Sequence, residues 1–377
     1  MPIMDHAALI QAADEQVAKV RTQGKDYSFN ELLSMYEDEE LIIAPEYQRL
    51  FRWTEVQASR FIESVILELP LPPIFVIEIT DGKYELIDGL QRISSYFYFR
   101  GKLDAEHRAI TPGVVLTLDG CDIVKGLDGF TYETLPRALE IKLKRHTIRV
   151  EVIRKESESR IRYHMFKRLN KGGSVLSEQE IRNCTIRLLD DTVNQFLIDC
   201  TGNIDFVKTI SPVNQQRMVE RYDQELVLRF FAFKNWRDHY VHEVAEYLTE
   251  YMEAVADSSV TEVTLDYNVE RGIFEKTFRI LNASMAEDAF AIVDKRGRTL
   301  PFGVYHFEAF SLGLQPHLDA LDPDNAEQME QLSKCIWEIK RDDAFREITT
   351  GGGKNFLNRL TERIDFVSNR LGAEKWT

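Results

Sequence analysis

The sequence predicts an α+β chain, with a mixed domain over residues 1–155 followed by an all-α helical domain over 156–377. Three observations carry this. Ile74–Ile79 and Lys83–Ile87 read as β-prone runs on either side of a hairpin signal, and Thr147–Ile153 alternates with period two, which marks strands. Helical periodicity separates those runs, and from Ser157 onward it is the only pattern present. The length of 377 residues, 44% of them apolar, exceeds one typical domain and is enough for two buried cores.

The elements follow in order. Residues 5–22 read as a peripheral helix, and Ser28-Phe29-Asn30-Glu31 as a capping box opening a short helix through Tyr36. A short extended piece, Leu41 to Pro45, leads into the polar and aromatic cluster Glu46–Trp53. Thr54-Glu55-Val56-Gln57 is a second capping box. Its helix carries the apolar stripe Val56, Phe61, Ile62, Val65, Ile66 and Leu69, and Pro70-Leu71-Pro72-Pro73 ends it. Asp81-Gly82 joins the two strands that follow as a hairpin. Residues 103–136 read as loop with short strand candidates such as Val114–Leu118. Beyond residue 155 a helix spans Arg160–Leu169, Asn170-Lys171-Gly172-Gly173 breaks it, and Ser177-Glu178-Gln179-Glu180 opens the next. Further helices are expected over 189–199, 215–234, 239–255, 268–282, 324–340 and 355–371.

The chemistry centres on Tyr84 to Ser95, where a β-prone run ends in Asp88-Gly89 and a helix follows. Asp88 stands where an N-cap belongs and Gly101 where the helix stops. A strand, a tight turn and a helix N-terminus together favour an anion. Gln91 and Arg92, in the first turn, are within reach of a phosphate there. Arg49 or Arg52 could add bidentate contacts, Trp53 or Tyr47 could stack on a base, and Asp88 could hold Mg²⁺ or orient water. The alternative is an ordinary strand-to-helix turn.

Charge adds one feature. The chain carries 47 Lys/Arg against 62 Asp/Glu, a net −15 that argues against indiscriminate adhesion to DNA. Residues 137–187 reverse this with 14 Lys/Arg against 6 Asp/Glu, a candidate phosphate-facing surface or else a solvated, paired face. Four scattered cysteines (Cys121, Cys184, Cys200, Cys335) suggest neither disulfides nor zinc. No signal peptide or membrane span is apparent, so a cytoplasmic location is expected.

Three segments resemble a known family. They are Pro45-x-Tyr47-Gln48-Arg49-x-x-x-Trp53, then Ile87-Asp88-Gly89-x-Gln91-Arg92, then Phe166-x-Arg168-Leu169-Asn170-x-Gly172-Gly173-x-x-Leu176-Ser177-x-Gln179-Glu180-x-Arg182-Asn183. In order and spacing they are similar to the N-terminal domain of GmrSD-type restriction systems, over roughly residues 28–190. The resemblance implies a ParB/sulfiredoxin-like fold in a bacterial antiviral defence system, with nucleoside triphosphates bound and hydrolysed through an Asp-Gly-Gln-Gln-Arg motif. By position it maps Asp88, Gln91 and Arg92 onto the motif's acid, second Gln and Arg, which are expected to be catalytic, and the phosphoryl-transfer chemistry above makes Asp88 the expected Mg²⁺ ligand. Nucleotide or phosphate contacts fall to Tyr47, Gln48, Arg49, Arg52, Gly89, Asn170, Lys171 and Gly172. Leu90 departs from the motif's Gln, which removes a polar contact and leaves binding without efficient turnover as an alternative. Two other readings stay open: a DNA-binding or sensing module acting with a separate nuclease or effector subunit, and a ParB-like domain that itself cuts nucleic acid.

Other motifs carry less. The eight histidines form no His-plus-Asn nuclease grouping, and His239 and His242, three apart, lack a third ligand. Pro323-Asp324 with Glu338-Ile339-Lys340 has a nuclease-like spacing, but residues 325–340 read as one helix with Met329, Leu332, Ile336 and Ile339 inward. Gly351-Gly352-Gly353-Lys354 lacks the first glycine of a phosphate-binding loop.

Overall fold

The computed structural model describes residues 6–17, 19–44, 47, 50–80, 82–157, 164–165, 168–169, 177–187, 189–241, 243–257, 260, 262–351 and 356–376. The chain divides into two compact units, Met1–Leu176 and Ser177–Thr377.

The first unit is built on a five-stranded mixed sheet in the order β1-β5-β3-β4-β2. The strands are β1 (Thr22–Ser28), β2 (Leu41–Ile42), β3 (Ile74–Thr80), β4 (Lys83–Asp88) and β5 (Thr147–Ile153). β5 lies antiparallel to β1 and parallel to β3, with Ile74 opposite Val150. β3 and β4 form the expected hairpin. β1 falls partly where the sequence predicts helix. Helix α1 (His6–Val17) ends before it, and Thr22-Gln23-Gly24-Lys25-Asp26-Tyr27-Ser28 pairs along its full length with β5. Its polar residues suit an edge strand, whose stability comes from the ladder and not from a buried stripe. At Gly24 the flexible Arg149 guanidinium crosses the strand where a Cβ would stand, 1.8 Å away.

Helices α2 (Phe29–Glu37), α3 (Glu55–Ile66), α4 (Leu90–Phe99) and α5 (Arg137–Arg145) accompany the sheet. Ser28 caps α2, and Thr54 with Gln57 forms the expected capping box on α3. Phe29, Phe61 and Tyr96 join α2, α3 and α4 in one core, with Phe29–Tyr96 centroids 5.1 Å apart. Val114–Leu118 forms no strand. Leu116 and Leu118 are buried, but their amides bond to two different segments, at Tyr98 and Phe130, so no ladder develops. The long loop is instead pinned by Glu63. This buried carboxylate accepts the consecutive amides of Asp122, Ile123 and Val124.

The second unit is helical: α6 (Glu178–Ile186), α7 (Asp191–Thr201), α8 (Ile204–Ile210), α9 (Gln215–Val219), α10 (Tyr222–Asn235), α11 (Val244–Ala256), α12 (Tyr267–Met285), α13 (Val304–Gly313), α14 (Ala326–Arg341), α15 (Asp343–Thr349) and α16 (Leu357–Gly372). It is not all-α. Strands β6 (Ala291–Val293) and β7 (Thr299–Phe302) form a small hairpin. The Asp294 carboxylate accepts the amides of Arg296 and Arg298, and Gly297 (φ +76°) closes the turn. Strands this short, one containing Pro301, leave no readable alternation.

Phe230, Phe231, Phe274 and Phe278 form the aromatic centre of this core. Two fully buried charges, Glu308 and Arg363, meet at 2.6 Å, and Arg229 reaches the other Glu308 oxygen at 2.8 Å. α14 turns Met329, Leu332, Ile336 and Ile339 inward as its periodicity predicts. No helix among the described residues is long and apolar enough to cross a membrane.

Candidate functional site

The junction of β4 and α4 depends on one glycine. Asp88 ends β4 and is not the N-cap. Gly89 takes that position with φ +102°, and no side chain caps the helix. Only glycine fits, since a Cβ would sit 2.4 Å from Ile74 Cγ2 as well as in the left-handed region. The uncapped first turn therefore opens at the Asp88 carboxylate, and C′ is Gly101 (φ +64°) as the sequence suggests.

Asp88 and Arg92 form a pair across one helical turn. Arg92 Nη2 donates to Asp88 Oδ2 at 3.0 Å, and Nη1 donates to the Pro72 carbonyl at 2.6 Å. The side chains are 34% and 13% exposed, so the carboxylate is the accessible member. Its Oδ1 makes no hydrogen bond among the described residues. Mg²⁺ takes one or two carboxylates with phosphate oxygens and water, and Asp88 fits that role once a phosphate supplies the remaining ligands. No group of three or more His, Cys, Asp or Glu that could hold a metal occurs among the described residues.

Gln91 turns toward the protein. Its Oε1 accepts the amides of Arg52 (3.0 Å) and Trp53 (3.1 Å), and its Nε2 donates to the Leu50 carbonyl at 2.7 Å. The amide thus ties the upstream block to α4 across about forty residues. Tyr47 is buried, its hydroxyl donating to Ile87 O at 2.9 Å, so it braces the end of β4. Trp53 packs against Phe61 at 5.8 Å, while the Arg52 side chain is exposed. Leu90, in place of the motif's Gln, is 3% exposed and belongs to the core.

A segment that the sequence did not single out completes the arrangement. The 3₁₀ turn Glu106–Arg108 brings Arg108 Nη1 to Trp53 O at 2.6 Å and His107 Nε2 to 3.4 Å from Phe51 O. Neither residue lies in a periodic or motif pattern, so nothing in the sequence marks them. Nearby, Tyr98 donates to Glu55 Oε1 at 3.1 Å, and burial, reinforced by that carboxylate, pushes the Tyr98 hydroxyl up from its ordinary value. Gln48, Arg49, Asn170, Lys171 and Gly172 lie outside the described residues, as do most of the Arg160–Leu169 helix and His242.

The basic stretch is extensively paired. Arg137 and Lys144 share Glu140, Lys142 faces Glu68, Arg149 contacts Asp26 and Glu151, and Arg154 reaches Glu78. Lys144 first, with Arg137 and Tyr132, holds the Glu140 carboxyl down to about 2. The third block divides differently. Gln179, Arg182 and Asn183 of α6 are buried inside the second unit, where Arg182 donates to Gln179, Thr249 Oγ1 and Ala245 O.

No curated protein and no solved structure matches the chain. A family model described as the GmrSD restriction endonuclease, N-terminal domain, matches residues 29–187, and all three sequence blocks fall within or overlap that span. Such a domain indicates a protein of a restriction-type defence system. Residues 29–187 of the chain are thus similar to the N-terminal domain of the GmrSD restriction endonuclease.

Proposed function

We propose that the first unit binds a nucleoside triphosphate with Mg²⁺ at the β4–α4 junction and hydrolyses it, within a ParB/sulfiredoxin-like architecture. The observation that carries this is the uncapped α4 N-terminus beside the preassembled Asp88–Arg92 pair, on a glycine turn that admits no side chain. Backbone amides and the helix dipole attract the phosphate chain. Arg92, fixed by Pro72 O and Asp88, keeps a cation beside it without needing to be ordered on binding. Bound Mg²⁺ would neutralise charge on the phosphate oxygens. Asp88 offers its exposed oxygen to that ion or orients the attacking water. Gln91 acts at one remove, holding the segment that carries Arg52.

The test is equilibrium binding and phosphate release with each of the four ribonucleoside triphosphates and Mg²⁺. Binding is expected, with release lowered roughly 100-fold or more by Asp88→Asn. Arg92→Ala is expected to weaken binding in a protein whose thermal midpoint is followed in parallel. Absence of binding to all four, with both variants behaving as wild type, sinks the proposal. Metal-dependent nicking of plasmid lost with Asp88→Asn would replace it by the nuclease reading.

A further inference from the structure

We propose that Arg108, supported by His107, is a positioning residue of this site. It grips the Leu50–Trp53 segment from a second element, alongside Gln91 of α4, and so fixes where Arg52 meets the phosphate chain. The proposal rests on the phosphate-site reading given above.

Among the described residues, Leu50–Trp53 belongs to no helix or strand, and Leu50 N makes a turn bond to Tyr47 O. Side chains from two directions hold it instead. From α4, Gln91 takes the amides of Arg52 and Trp53 and the carbonyl of Leu50. From the 105–110 turn, Arg108 takes the Trp53 carbonyl while its guanidinium lies 4.8 Å from the centroid of the buried Phe51 ring, and His107 approaches Phe51 O. A planar guanidinium can stack and donate together, which an ammonium cannot.

The turn itself is held at a cost. Ala105 and Ile110 close it as an isolated bridge, and Ala109 sits at φ +56°, in the left-handed region that disfavours a residue with a Cβ. Conformations of this kind persist where the surroundings over-determine them, and they cluster at ligand sites. The residue presented by this grip is Arg52, whose side chain is exposed. Removing the grip therefore changes the aim of a surface cation more than it changes core packing.

The experiment uses the full chain and the variants Arg108→Met, Arg108→Lys, Arg52→Ala and the Arg108→Met/Arg52→Ala double variant. Amide hydrogen exchange is read at residues 50–53 without ligand. Binding is read for each ribonucleoside triphosphate with Mg²⁺ and for its parent nucleoside. Arg108→Met, which keeps an aliphatic chain over Phe51, is expected to accelerate exchange at 50–53 about tenfold or more at a near-wild-type thermal midpoint. Triphosphate affinity should fall roughly 10- to 100-fold while nucleoside affinity barely moves. Arg108→Lys should fall between the two. Arg52→Ala should lose the same affinity with exchange unchanged, and Arg108→Met should add nothing to it, because one residue acts through the other.

Unchanged exchange in Arg108→Met overturns the proposal. So does faster exchange with intact triphosphate affinity, or an equal loss for nucleoside and triphosphate. If wild type binds none of the four nucleotides, the phosphate-site reading fails and the positioning role fails with it, while accelerated exchange would still establish the grip.

Discussion

Gln91 and Trp53, thirty-eight positions apart in the chain, share a hydrogen bond in which the side-chain oxygen of one receives the backbone amide of the other at 3.1 Å. The same oxygen receives Arg52 N, and the amide nitrogen donates to Leu50 O. Gln91→Glu preserves the acceptor but replaces the donor by an oxygen facing Leu50 O. It is expected to destabilise the first unit by about 1–3 kcal/mol. Urea unfolding followed by Trp fluorescence would measure it, and an unchanged midpoint would show that the segment is held by other means.

Gly89→Ala combines a left-handed backbone with a collision against Ile74 Cγ2. Strain and overpacking together are expected to cost about 2–4 kcal/mol. Ile74→Ala in the same protein removes the Cγ2 contact but keeps the Cβ at 2.9 Å and leaves the strain untouched. The double variant should therefore lose less than the sum of the singles in a denaturant series.

Lys340 gives a pH prediction. Its amine is fully buried, bonded to the Asp288 carbonyl and flanked by the Phe310 and Trp337 rings. Burial pulls it down from 10.5 to about 7, with Asp288 opposing. Between those values the unfolded chain binds a proton that the native amine has shed. Native stability therefore rises with pH across that window, by up to ~1.4 kcal/mol per pH unit. Lys340→Met should abolish the rise and stabilise the protein at pH 7. Unfolding midpoints at pH 7, 8, 9 and 10 test this, and equal slopes in both proteins would refute it.

Glu308 sits between Arg229 and Arg363 with both bonds in place. Glu308→Ala leaves two cations near one another, Arg363 wholly inside the core, and should cost about 3–5 kcal/mol. Replacing Glu308 and Arg363 together by methionine should cost distinctly less. Thermal unfolding of the three proteins separates a pair that stabilises from one that is merely dangerous to break.

What was legible in the sequence is what depends on near neighbours. The capping boxes at Thr54 and Ser177 and the β3–β4 hairpin are each written in a few adjacent residues. So is the Asp88-Gly89 turn into a helix, although the N-cap is Gly89 and not Asp88. β1 escaped because its stability lies in a ladder to residues more than a hundred positions away. Gln91 read as a ligand-facing side chain because its donors and acceptors, at Leu50, Arg52 and Trp53, are not visible from its own helix. Leu90 read as a lost polar contact, yet its side chain points into the core. Arg108 and His107 carried no signal at all, since a single turn has no period and their role is defined by two carbonyls in another segment.

The family match ends at residue 187, yet the first compact unit ends at 176, and α6 falls between the two. That helix lies within the family match yet packs in the second unit, where Arg182 is received by Thr249 and Ala245. A recombination event that exchanged the C-terminal half at the family boundary would deliver Arg182 and Asn183 to a new partner without Thr249, Gln224 or the Ala245 carbonyl to receive them. Viable chimaeras should therefore break ahead of Ser177. The hidden arginine thus limits which C-terminal halves this domain can acquire by gene fusion.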